Sequence, residues 1–257
     1  MLLCIDMGNT MIKFGVYDND KLKCTHTIAT DLNKTIDEYA LNFKIFLKEN
    51  VLVGHISDCI LSSVVPSLTK TISAMVTKCT GINVLLLQSG IKTGLTIKID
   101  QPKELGSDLV ADAVGAVTKY GYPIFIVDLG TANKIFAVDR NGIFIGGVIT
   151  IGVGLSLRSL SSSTSLIPSV SLEKIGSVIG KSTKESVSSG IFYGTNHLVR
   201  GLISDFIKEL GYDAKVVLTG GNAQHFRSIF CDYIYDENLS IDGLAIIYKK
   251  SEVKTHA

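Results

Sequence analysis

The chain has 257 residues, 46% hydrophobic and 19% charged, with 25 basic against 24 acidic side chains and a net charge of +1. Such apolar content excludes intrinsic disorder, and the charge balance argues against a broad nucleic-acid surface. No apolar run reaches the ~18 residues of a bilayer span. At ~150 residues per domain the length predicts two lobes or one large domain. Cys4, Cys24, Cys59, Cys79 and Cys231 are scattered with no Cys-x-x-Cys spacing, which predicts free thiols and a reduced, cytoplasmic setting. The opening Met-Leu-Leu-Cys-Ile-Asp lacks the basic segment of a secretory leader.

In chain order, Leu2 to Ile5 reads as a short apolar strand running into Asp6-Met7-Gly8-Asn9-Thr10. Ile12 to Tyr17 and Leu22 to Thr30 read as two more strands, joined by an Asp18-Asn19-Asp20 turn. Ile36, Tyr39, Phe43, Ile45 and Phe46 recur at roughly helical spacing, which predicts a helix over 35–49. A buried-type strand over Cys59 to Val65 stops at Pro66, a helix follows over Leu68 to Lys78, and Val84 to Leu87 is a further strand. The order βββαβαβ predicts a mixed sheet with helices on its faces. Gly106-Ser107-Asp108 then opens a helix through Ala116.

The pattern then begins again. Ile124 to Val127 is an apolar strand followed by Asp128-Leu129-Gly130-Thr131-Ala132. An offset of 122 residues pairs Asp6 with Asp128, Gly8 with Gly130, Phe14 with Phe136, Val16 with Val138 and Asn19 with Asn141. The expectation is a duplicated α/β unit, divided as residues 1–115 and 116–257, whose halves meet across a cleft near Leu109 to Gly121. Ser156 to Leu160 and Lys184 to Glu209 read as helices. Val216 to Leu218 is a strand leading into Thr219-Gly220-Gly221-Asn222, and Asp242-Gly243-Leu244 opens a last short helix.

A glycine between two strands lets the backbone turn sharply and approach a ligand. Successive N–H groups in such a turn, with the Thr10 hydroxyl, can cradle phosphate oxygens. Asp6, at a strand end, is placed to hold a phosphate-bound Mg²⁺. Asp128 to Ala132 repeats the chemistry in the second half, and two such loops would clamp a polyphosphate. The double glycine at 220–221 would admit a flat adenosine against bare backbone. Asp108 has two readings, a helix cap favoured by the dipole or a general base on a substrate hydroxyl. The Gly176 to Gly180-Lys181-Ser182 run is one residue short of a Walker A loop, and Gly152-Val-Gly154 lacks the third glycine of a dinucleotide fingerprint. His26, His55, His197, His225 and His256 show no ligand spacing.

Taken in order, Asp6 to Thr10, Ser63-Val64-Val65-Pro66, Gly106-Ser107-Asp108, Asp128 to Ala132, Gly152-Val-Gly154-Leu155-Ser156, Val178 to Thr183, Ser189 to Gly194 and Leu218 to Asn222 closely resemble type III pantothenate kinase along nearly the whole chain. The resemblance implies two ribonuclease H-like lobes of the acetate and sugar kinase, Hsp70 and actin superfamily, a cytoplasmic homodimer, and transfer of the ATP γ-phosphoryl group to pantothenate at the start of coenzyme A synthesis. By matching position it implies that Asp6, Met7, Gly8, Asn9, Thr10, Met11, Ile12 and Lys13 form one ATP loop and that Thr131 contacts ATP from the other. It further implies that Asp128 binds a monovalent cation (potassium or ammonium) and that Asp108 is the base. Gly106, Ser107, Asp108, Leu109 and Thr183 would line the pantothenate pocket.

This chain departs from the family pattern at Leu109 (usually Arg), at Ile99 (usually Tyr) and at Asn133-Lys134 (usually Thr-Thr). A divergent relative that binds nucleotide, with another small substrate or a regulatory role, is the alternative reading. Lys134 reads as a solvated strand lysine, its alternative being an ammonium group placed beside Asp128.

Overall fold

The computed structural model describes residues 1–164, 166–172 and 176–252, so His256 and part of the Ser-rich stretch lie outside it. Period-two burial builds its first sheet. In β1 (Leu2–Met7) and β2 (Met11–Asp18), Leu3, Ile5, Met7, Ile12, Phe14 and Val16 turn into one apolar core. Cys4 and Asp6 alternate to the other face. With β3 (Lys21–Ala29), β4 (Asp58–Ser63) and β5 (Val84–Leu86) the sheet order is β3-β2-β1-β4-β5. The first three strands are antiparallel, and β4 and β5 are parallel to β1. Two helices supply the core's other wall: α1 (Ile36–Glu49), capped by a Thr35–Glu38 capping box, and α2 (Pro66–Thr80), started by its proline.

The second sheet repeats this plan. It contains β7 (Ile124–Leu129), β8 (Ala132–Val138), β9 (Ile143–Ile151), β10 (Lys215–Thr219) and β11 (Ile234–Tyr235), with the two-residue β6 (Thr96–Ile97) added beside β9. Its order β11-β10-β7-β8-β9 is that of the first sheet, strand for strand. Phe125, Val127, Leu129, Ile135 and Ala137 form a core with Val199 and Ile203 of α5 (Thr183–Leu210) and with Phe226, at the end of the short α6 (Ala223–Phe226), and Phe230. The remaining helices are α3 (Ser107–Tyr120), α4 (Val153–Ser163) and α7 (Leu239–Glu252).

The duplication is therefore real, but its register is not uniform. Asp6 faces Lys13 across the β1–β2 ladder, and Asp128 faces Lys134 across β7–β8. The second hairpin turn is one residue shorter, so β2 and β8 correspond at an offset of 121, while β1/β7 and β3/β9 keep 122. Phe14 thus corresponds to Ile135 and Val16 to Ala137, each on its core face. The expected matches of Phe14 with Phe136 and Val16 with Val138 came from a register that exchanges the two faces of the strand. The irregularities between Val16 and Tyr17 and between Ala137 and Val138 fall at equivalent places and confirm the shorter offset.

The chain divides differently from the expected boundary at 115/116. Among the described residues, the first unit comprises 1–95, 100–118 and 238–252, and the second 96–99 and 119–237. The last helix is also longer than expected, and it returns to the first unit because its partners are there. The Tyr17 hydroxyl donates to Asp242, and Tyr248 donates to Asp58 at 2.7 Å. Gly243 lets α7 touch α3: a methyl there would lie 1.8 Å from the Ala111 carbonyl oxygen, and one at Gly115 would lie 2.6 Å from that of Leu239. Gly243→Ala should force the helices apart at a cost of about 1–3 kcal/mol, seen in calorimetry as a Tm lower by roughly 2–12 °C. Gly201→Ala, in α5 with open space around it, should leave Tm unchanged or raise it.

All five cysteines are free, as expected. Burial pushes the Cys4 and Cys59 thiols well above their ordinary range, whereas Cys231 is exposed. A disulfide reagent at neutral pH should therefore label Cys231 first and reach Cys4 and Cys59 only on unfolding. Among the described residues no helix is long and apolar enough to cross a membrane.

Candidate active site

In the first unit the site grows from the C-terminal ends of β1 and β4. Asp6 lies on the face away from the α1–α2 core, in register with Ser62 of β4. The following turn is closed from within: the Gly8 N–H donates to Met11 O at 3.0 Å, and Thr30 Oγ1 donates to Gly8 O at 2.7 Å. Asn9, Thr10 and Met11 are exposed at its tip, while the Met7 and Ile12 side chains are in the core. Of the expected ATP loop, Met7 and Ile12 thus offer a ligand only backbone.

Ser107 joins α3 to the same strand ends. Its Oγ accepts from the Ser63 N–H at 3.1 Å, lies 2.9 Å from Ser62 Oγ and donates to Ser63 O at 3.2 Å. A hydroxyl has one proton and two lone pairs, so Ser62 is the donor in the second bond and Ser107 is fully used. This pins the first turn of α3, which contains Asp108, beside the β4 end that neighbours Asp6. The helix begins at Gly106, whose carbonyl accepts from Val110 N at 3.2 Å. Ser107 is therefore tied to β4. Asp108 is half-buried, and its Oδ1 accepts from the Leu109 N–H at 2.9 Å. Any side chain at 106 would crowd it, because a Cβ there would fall 2.5 Å from Asp108 Oδ1. Leu109 itself is buried. The Ser62–Ser63–Ser107 cluster was not visible in the sequence, since its partners are 44 and 45 residues apart.

In the second unit three glycine segments converge on Asp128 and the turn that follows it. Asp128 is 8% exposed and is in register with Thr219 of β10. Its Oδ2 is 2.6 Å from Lys134 Nζ. The expectation of a solvated Lys134 is thereby corrected: its side chain is 16% exposed and ion-paired, because it stands directly opposite Asp128 in the ladder. Gly220 has φ +97°, and a Cβ on it would lie 2.3 Å from Asp128 Oδ1. Asn222 Nδ2 donates to Gly130 O at 3.0 Å, and the Asn222 N–H donates to Leu129 O at 2.8 Å. Gly152, just before α4, lies against the same turn, where a Cβ would fall 2.2 Å from Thr131 O and 2.6 Å from Gly130 O. The Gly130 N–H is used within the turn, donating to Ala132 O at 3.2 Å. Gly221 has open space beside it.

Thr183 opens α5 behind the N-cap Ser182, whose Oγ accepts from the Glu185 N–H at 3.2 Å, and it is exposed.

The donor sets suit two implied cations unequally. Among the described residues no three His, Cys, Asp or Glu side chains gather to hold a metal ion. A single hard carboxylate such as Asp6 suits Mg²⁺, which binds through one or two carboxylates plus substrate phosphates. A free monovalent cation does not fit Asp128, since Lys134 already lies on that carboxylate.

Two ribonuclease H-like units, each with an Asp-x-Gly hairpin leading its sheet, make up the fold. A ROK family glucokinase from Streptomyces griseus, 14% identical, shares the fold at a TM-score of 0.53 over 98% of this chain and 99% of its own. So does a Campylobacter jejuni protein named for the Baf family of transcriptional activators, 23% identical, at a TM-score of 0.63 over 98% of this chain and 99% of its own. The type III pantothenate kinase family model matches residues 2–205. A type III pantothenate kinase from Brevibacillus brevis is 38% identical over 98% of this chain and 100% of its own length. The chain belongs to the type III pantothenate kinase family.

Proposed function

We propose that this chain transfers the γ-phosphoryl group of ATP to the hydroxyl of pantothenate, yielding 4'-phosphopantothenate for coenzyme A synthesis. The observation that carries the reading is family membership along the full length with Asp6, Asp108, Asp128 and Thr131 all retained.

Phosphoryl transfer asks mainly for alignment and charge neutralisation. The exposed tip residues Asn9 and Thr10, with Lys13 and Thr131, bind the phosphates. The Gly8 and Gly130 N–H groups, already bonded within their turns, hold the loops in shape. Asp6 holds Mg²⁺, which shields the phosphate charge when bound. Gly221, open on one side, receives the adenosine.

Gly106, Ser107, Leu109 and Thr183 border pantothenate. Asp108 accepts the proton of its hydroxyl as the new O–P bond forms, the bond from the γ-phosphorus to the bridging oxygen breaks, and ADP leaves. Leu109 brings no cation, so the pantothenate carboxylate finds its partner elsewhere. The exposed Ile149 and Ile151 of β9 suit burial in a homodimer. A coupled ADP-release assay tests the reading: turnover should require pantothenate, and ADP release indifferent to pantothenate would overturn it.

A further inference from the structure

Asp128 carries its own cation. One carboxylate oxygen lies 2.6 Å from Lys134 Nζ, with the two side chains 11% and 16% exposed. The other oxygen lies against the backbone of Gly220, where even a methyl group would come within 2.3 Å. A potassium or ammonium ion on the same carboxylate would sit within contact range of the lysine ammonium, in a site with little water to screen the repulsion.

The placement is built into the backbone. Asp128 and Lys134 are directly opposed on the face of β7–β8 away from the core. A buried carboxylate needs a partner of opposite charge, and Lys134 is that partner.

We propose that the Lys134 ammonium replaces the free monovalent cation at Asp128, so that this kinase binds nucleotide and turns over without potassium or ammonium. The functional half of this statement rests on the kinase reading above, whereas the location of the charge does not. The lysine neutralises Asp128 and thereby holds the Gly130–Thr131 turn, to which Asn222 is hydrogen-bonded, in its nucleotide-ready shape.

The experiment compares potassium chloride, ammonium chloride and choline chloride at equal ionic strength. It reads AMP-PNP affinity with Mg²⁺, Tm and pantothenate turnover in the wild type, Lys134→Thr and Lys134→Arg. Wild-type affinity should agree within about twofold in all three salts, with Tm unmoved. Lys134→Thr, which suits a strand and removes the charge, should bind at least about tenfold more weakly in choline and recover in potassium or ammonium. Lys134→Arg, which keeps the charge, should bind with an affinity that does not depend on the choice of salt.

Several-fold potassium dependence of the wild type overturns the proposal, and that arm decides alone if Lys134→Thr does not fold. A folded Lys134→Thr that ignores the salt overturns it as well. Turnover that is present but potassium-stimulated defeats the lysine role and leaves the kinase reading standing. Turnover absent in every salt defeats the kinase reading, while affinity and Tm still judge the lysine.

Discussion

Asp108→Asn should lower kcat for pantothenate by about 10²–10⁴-fold, the range expected when a positioned general base is lost. Asparagine keeps the shape of the side chain and can still accept the hydrogen bond from the Leu109 N–H, but it cannot take the hydroxyl proton. AMP-PNP affinity should stay within about twofold of wild type, because the turns proposed to bind phosphate are untouched. The competing role for Asp108 is structural. It lies in the first turn of α3, where a negative charge stabilises a helix by about 0.3–1 kcal/mol. If that were its whole contribution, Asp108→Asn would shift Tm slightly and leave kcat near wild type, and this result would remove Asp108 from the mechanism. Gly106→Ala offers an independent check, since its methyl would press on Asp108 Oδ1 from 2.5 Å. It should lower kcat more than it weakens nucleotide binding.

Gly152→Ala should weaken AMP-PNP binding by at least about tenfold, whereas Gly154→Ala should leave it nearly unchanged. The two glycines are two residues apart and look alike in sequence. At 152 a methyl group would lie 2.2 Å from the Thr131 carbonyl oxygen and 2.6 Å from that of Gly130. These are backbone atoms of the turn proposed as the second phosphate loop, so the turn itself must move. Overpacking of this kind typically costs about 1–3 kcal/mol, and here the distortion falls on the residues proposed to meet ATP. At 154 the nearest atom is Arg158 Nη1 at 3.6 Å, an ordinary contact at the end of a flexible side chain. Isothermal titration of both variants reads the difference. Equal affinities would mean that the Gly130–Thr131 turn does not bind nucleotide.

Much of the fold was legible because its signals are local. The apolar run ending in Asp6 and the glycine at 8 mark a strand and its turn without reference to any distant residue, and the same holds for Asp128 and Gly130. The helix at 36–49 carries its start in Thr35 and Glu38. Duplication could be read because both hairpins keep aspartate and glycine at one spacing.

Its register could not be read that way. One residue fewer in the second turn changes nothing in composition, yet it decides which face of β8 is buried, and only strand pairing reveals this. The last helix reads alike wherever it packs, and Tyr17, Asp58 and Ala111, far away in the chain, determine that it returns to the first unit.

The same division runs through the site. The sequence by itself determined the candidates proposed for phosphoryl transfer, since carboxylates at strand ends and glycine turns are properties of short segments. Tertiary structure alone decided that Ser107 is spent on β4, that Gly152 and Gly220 wall the second loop, and that Lys134 lies buried on Asp128. Each depends on two segments coming within a few ångströms, and a linear pattern holds no distances between segments that are remote along the chain.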